Sequence, residues 1–175
     1  MYIKVENHTG TKLPSKTENI IQGIIGNLPK EHTIGLERFK FVDLIVDPRV
    51  RTRSGQLPGL YHPKQGSQSA WAEIAIDALL PRSLPFYKRI LPRLSYKNNL
   101  AVTLLSLVGQ HYYLTFRHSI KKNQLESSVR SYVEKHLKLW HEKENRLLSR
   151  LFKPLQPTLE RWAKSLRHRA AKAKD

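Results

Sequence analysis

A chain of 175 residues supports one compact domain with a helical appendage and is too short for a large multidomain enzyme. Hydrophobic residues at 39% exclude a wholly disordered chain, and the absence of cysteine excludes disulfides, thiolate metal sites, iron–sulfur clusters and cysteine nucleophiles. With 31 Lys and Arg against 14 Asp and Glu, the formal charge is +17, so self-repulsion must be offset by counterions or by an anionic partner.

Tyr2 to Glu6 alternates as a short strand, and Ile20, Ile21, Ile24, Ile25 and Leu28 recur at helical spacing over Thr17 to Leu28, before Pro29. Leu36 to Val46 reads as a longer strand closed by Asp47 and Pro48. Arg49 to Ser69, with its glycines, prolines and basic residues, reads as a loop holding at most a brief strand at Leu60–Tyr61. Trp71 to Leu80 alternates as a strand with Glu73 and Asp77 on its polar face. Asn98 to His118 is apolar around most of a helical circumference and predicts a buried central helix. A charged helix follows over Lys121 to Phe152, Pro154 and Pro157 break it, and a last helix begins at Thr158.

This order predicts an α+β fold, a small mixed sheet with a buried central helix and C-terminal basic helices. Residues 1–135 read as the α+β domain and 136–175 as a basic helical extension. No stretch reaches the ~20 apolar residues of a membrane span, and the opening residues lack the apolar run of a secretory signal. A soluble, cytoplasmic protein without a membrane partner is expected.

The segment TLLSLVGQHYYLTFRH, Thr103 to His118, resembles the active-site helix of the zincin-like metallopeptidases, whose motif reads HExxH, with its ligands replaced. Set on this helix, the motif puts Ser106 at the first His, Leu107 at the general-base Glu and Gln110 at the second His. The resemblance spans Leu36 to Tyr132. It implies an edge strand before the helix and a charged helix with the third ligand after it, places occupied by WAEIAID and LESSVRSYVEKHL. Glu126, in Glu126-x-x-Val129-x-x-Tyr132, then stands at the third-ligand position, and an old cleft is expected between the Trp71 strand and the Ser106 helix.

Two histidines at i and i+4 share one helical face and can share one zinc, while the Glu at i+1 activates a water. Serine, leucine and glutamine do neither job, so the resemblance implies a pseudoenzyme with no catalytic residue, no metal and no cofactor, kept as a binding or scaffold protein. Two alternatives stand beside it: a plain core helix without peptidase ancestry, in a small basic nucleic-acid or ribonucleoprotein-binding module, and an active metallopeptidase with atypical ligands. In the plain version Gly109 admits a neighbouring strand and Gln110 satisfies a buried polar group.

Other signatures are absent. His111 and His118 are two helical turns apart, about 10 Å of rise, too far to share a zinc. His111 reads instead as a hydrogen-bonding residue and His118 as a helix-end cation. Glu73 and Asp77 on one strand would stand about 13 Å apart, wider than a glycosidase carboxylate pair. Arg49, Arg51 and Arg53 alternate in the basic loop, and Arg161, Lys164, Arg167 and Arg169 crowd the last helix. These seven are the candidate phosphate contacts to RNA, DNA or another polyanion. A protein partner for the old cleft is the other expectation.

Overall fold

The computed structural model describes residues 3–45, 57–81, 90–116 and 122–152. It has the expected α+β class. Four strands, β1 (Lys4–Asn7), β2 (Leu36–Val42), β3 (Gly59–His62) and β4 (Ala70–Ala75), form one mixed sheet in the order β1-β2-β4-β3. β1, β2 and β4 are parallel, and β3 runs antiparallel to β4. The helices are α1 (Thr17–Ile25), the single turn α2 (Ile76–Leu79), α3 (Ile90–Phe116) and α4 (Lys122–Phe152), with a 3-10 turn over Lys30–Thr33.

The period of two decides which side of the sheet is covered. Phe39, Phe41, Ala72 and Ile74 point inward and are fully buried, with Ile21 and Ile24 of α1 and Leu100, Leu104, Leu105 and Val108 of α3 completing the core. The opposite face carries Lys4, Glu6, Arg38, Lys40, Trp71 and Glu73. There Glu6 pairs with Lys4 at 2.9 Å and Arg38 at 3.6 Å, Glu73 with Lys40 at 3.9 Å, and the His62 and Trp71 rings stack 3.9 Å apart. The Lys4 ammonium holds the Glu6 carboxyl below its ordinary range. Carboxylates interleaved with cations leave this face without the single-sign field of a phosphate platform.

Several element ends differ from the sequence reading. α1 stops at Ile25, because Asn27 and Leu28 donate to the carbonyls three residues back, tightening the exit into a turn. β2 ends at Val42, whose register partner is Ala75, the last residue of β4. The alternation after Ala75 is not strand: Ile76 and Leu79 are buried three apart on the α2 turn, Leu80 N–H donates to Ile76 O at 2.7 Å, and Asp77 N–H to Asp43 O. Glu73 and Asp77 therefore share no strand face. β3 contains the brief strand expected at Leu60–Tyr61. It takes the edge, so β4, which the resemblance would make an edge strand, is an inner one.

α3 begins at Ile90 rather than Asn98, passing through Pro92. Two compact units divide the chain, Met1–Leu137 and Lys138–Asp175. The second contains the distal turns of α4, with Trp140 buried and its ring 4.9 Å from that of His141. The break at Pro154 and Pro157 and the helix from Thr158 lie outside the described residues, as does His118.

Candidate functional site

α3 repeats Val102, Ser106 and Gln110 at four-residue intervals, so all three project from one face. α4 answers with Leu125, Glu126, Val129 and Val133, and between them lies a groove of ≈ 590 Å³ rimmed by Arg130 and Glu134. Ser106 and Gln110 are half-buried, Glu126 is exposed, and Val129 is buried. Arg130 Nε lies 3.4 Å from Glu134 Oε1, a pair one helical turn apart. The structure thus brings Ser106, Gln110 and Glu126 to one groove. That groove lies between α3 and α4, not between the Trp71 strand and α3; Trp71 belongs to the face of the sheet opposite the core.

Leu107 does not join them. One residue turns an α-helix by about 100°, which carries Leu107 away from the groove and against the start of β3. It is buried, and a Cβ added to Gly59 would sit 3.0 Å from Leu107 Cδ1 and from Thr103 Cγ2. The contact runs between the helix and the bare backbone of the edge strand.

Gly109 allows the α3–α4 approach, since a Cβ there would lie 3.0 Å from Tyr132 Cδ1. The neighbour it admits is therefore an α4 side chain rather than a strand. Gln110, lining the groove, is not the satisfier of a buried polar group.

His111, one position on, is bonded on both nitrogens. Nε2 lies 2.8 Å from Ile34 O, an acceptor, so Nε2 carries the proton, and the Tyr61 hydroxyl donates to Nδ1 at 2.9 Å. Burial pushes the His111 pKa down, partly countered by the Ile34 carbonyl. Its role as a hydrogen-bonding residue is the expected one, and it lashes α3 to β3 and to the end of the 3-10 turn.

Beyond the groove, His32, Tyr112, Tyr113, Tyr132 and His136 form an aromatic cluster that sequence reasoning missed. Tyr132 and His136 stand one helical turn apart on α4, so the sequence places them on one face of that helix. The contribution of His32, one hundred positions before Tyr132, had no sequence signal.

The donor set of the groove does not fit zinc. A hydroxyl and a neutral amide stand where imidazoles would have to be, leaving only the Glu126 and Glu134 carboxylates, and among the described residues no three His, Asp or Glu side chains stand close enough to share an ion. Arg49, Arg51, Arg53, Arg161, Lys164, Arg167 and Arg169 lie outside the described residues. No described helix is long and apolar enough to cross a membrane. Comparison with family models, with curated proteins and with solved structures finds no match to this chain.

Proposed function

We propose that the chain is a ligand-stripped relative of the zincin-like metallopeptidases that acts without catalysis, as a binding or scaffold protein working through the α3–α4 groove. One observation carries this reading: the positions aligned with two ligand histidines and a third-ligand glutamate, Ser106, Gln110 and Glu126, meet in a single groove although they come from separate helices. The groove has apolar walls with one hydroxyl, one amide, the Glu126 and Glu134 carboxylates and the Arg130 guanidinium paired to Glu134, which suits an apolar chain that also carries hydrogen-bonding and cationic groups.

Ser106→His with Gln110→His tests the ancestry, because it restores two imidazoles one helical turn apart on the Glu126 side. The double variant should bind zinc at one per chain in competition with a chromophoric chelator. Adding Glu126→Ala should weaken that binding, whereas adding Glu134→Ala should leave it. A folded double variant that binds zinc no better than the parent overturns the reading.

The charge of +17 favours a second reading, a basic module that holds RNA or DNA through phosphate contacts, with or without that ancestry. Counterion release then makes the logarithm of affinity fall linearly with the logarithm of salt, by about 0.9 per phosphate neutralised on duplex DNA. Salt-independent binding, or none at low salt, overturns it. Both readings keep the cytoplasmic setting expected from the sequence.

A further inference from the structure

Where the 3-10 turn, α3 and α4 converge, two imidazoles are enclosed by phenol rings. The His32 centroid lies 4.3 Å from Tyr112, 5.4 Å from Tyr132 and 5.6 Å from His136, and the Tyr132 and His136 rings are 4.3 Å apart. His32 Nδ1 and the Tyr132 hydroxyl share a 2.9 Å hydrogen bond. His32 and His136 expose only 9% and 8% of their surface, so an imidazolium at either position would be largely cut off from water.

The titratable and charged groups around the pair come from all three elements. The turn supplies the Glu31 carboxylate, α3 the Tyr112 and Tyr113 phenols, and α4 Tyr132 and the Lys135 ammonium. Of these, Glu31 favours a cation at His32, while Lys135 opposes one at both imidazoles, and His32 opposes one at His136. Among the described residues no carboxylate is a cause of the His136 shift.

We propose that His32 and His136 form a pH-sensitive latch, which seats α4 on the turn and on α3 while both imidazoles are neutral and releases it when either takes up a proton. The seated stretch of α4 is also the groove wall, since Leu125, Val129 and Val133 precede and interleave with Tyr132 and His136. Release therefore opens the groove. This device stands whether or not the chain descends from a metallopeptidase.

The direction with pH follows from burial, which holds both imidazoles below their ordinary 6.5. Above 6.5 the latch is fully closed. As pH falls below 6.5 the open form takes up protons that the closed form refuses, and the seat is lost progressively towards the lowered values. His111 is also held low, but it lashes α3 to β3, so its protonation weakens sheet and helix together. Comparing α4 with the sheet separates the two.

The experiment is backbone amide exchange by NMR at about pH 7.5 and 5.5, corrected for intrinsic rates. Between these, protection over residues 125–136 should fall by about tenfold or more relative to the amides of Phe39 and Phe41. His136→Phe keeps a ring and removes the titration; His32→Gln keeps a polar partner for Tyr132. Each should flatten the drop. Loss of protection in helix and sheet alike, or an undiminished drop in the variant carrying both substitutions, overturns the latch. If the variants do not fold, the unsubstituted protein decides: imidazole resonances of His32 and His136 titrating below 6.5 support it, and midpoints at or above 6.5 refute it.

Discussion

Replacing Gly109 with alanine should destabilise the protein although it removes a glycine from a helix. Mid-helix Gly→Ala ordinarily gains about 0.8–1 kcal/mol from backbone entropy and propensity. Here the new Cβ would sit 3.0 Å from Tyr132 Cδ1, 3.4 Å from Cγ and 3.6 Å from Cε1, where carbon pairs prefer roughly 3.5–4.0 Å. The ring must recede by about half an ångström, and it is held by its bond to His32 and by contact with His136. Overpacking of this kind typically costs about 1–3 kcal/mol, which outweighs the propensity gain and leaves a net loss of about 1 kcal/mol. Urea unfolding followed by circular dichroism measures it, and Tyr132→Leu supplies the control. With the ring gone, Gly109→Ala should stabilise by up to ~1 kcal/mol, so the double-mutant cycle should show a coupling of about 1–3 kcal/mol. A Gly109→Ala protein more stable than its parent would refute the close approach of α3 and α4, and with it the geometry that brings Glu126 to Ser106 and Gln110.

Gly59→Ala should be worse, because two of its contacts are buried side chains at 3.0 Å and the third is the Glu73 carbonyl at 3.1 Å, backbone that cannot rotate aside; a loss of about 2 kcal/mol or more in the same assay is expected, and a neutral result would mean that β3 does not press on Leu107. Tyr96→Phe removes the buried 2.8 Å bond between Tyr96 and Thr17 but leaves the Thr17 hydroxyl donating to Pro14 O, so the loss should stay near 0.5–1.5 kcal/mol, and a loss above about 3 kcal/mol would point to packing rather than the bond. Glu134→Ala, in an exposed pair with Arg130, should change stability by less than about 0.5 kcal/mol, and the pair is misjudged if it changes more.

The elements that the sequence made legible are those whose periodicity is imposed by the core. The β2 alternation of Phe39 and Phe41, the α1 spacing of Ile21, Ile24 and Ile25 and the apolar girth of α3 each reflect a surface that has to be buried, and each appears where expected. Boundaries failed where hydrogen bonding rather than burial decides. After Ala75 the same alternation of apolar and polar residues continues into a helical turn, because β2 has run out and offers no further ladder partner. The convergence of Ser106, Gln110 and Glu126 followed from a spacing of four on one helix plus a partner helix. The enclosure of His32 by Tyr132 and His136 depends on chain reversal, which local pattern does not encode.

The place of Leu107 limits what chemistry could be built into the groove. In the resembled motif the residue after the first ligand must face a water at the metal, yet here that position is sealed between α3 and the bare backbone at Gly59, with Leu107 only 2% exposed. Leu107→Glu would bury a carboxylate where Leu107 now packs against Gly59, and would either protonate or prise β3 away. Placing ligands in the groove and placing a base beside them are thus different problems. The first asks only for side chains at positions that line the groove, whereas the second asks the edge strand to move. A variant with Ser106→His, Gln110→His and Leu107→Glu should accordingly bind zinc about as well as the pair of histidines alone, be less stable by about 2 kcal/mol or more, and hydrolyse no peptide above background. Peptide hydrolysis that needs the new glutamate and is abolished by a chelator would mean that β3 yields readily. The groove and the strand contact would then be one open cleft in solution.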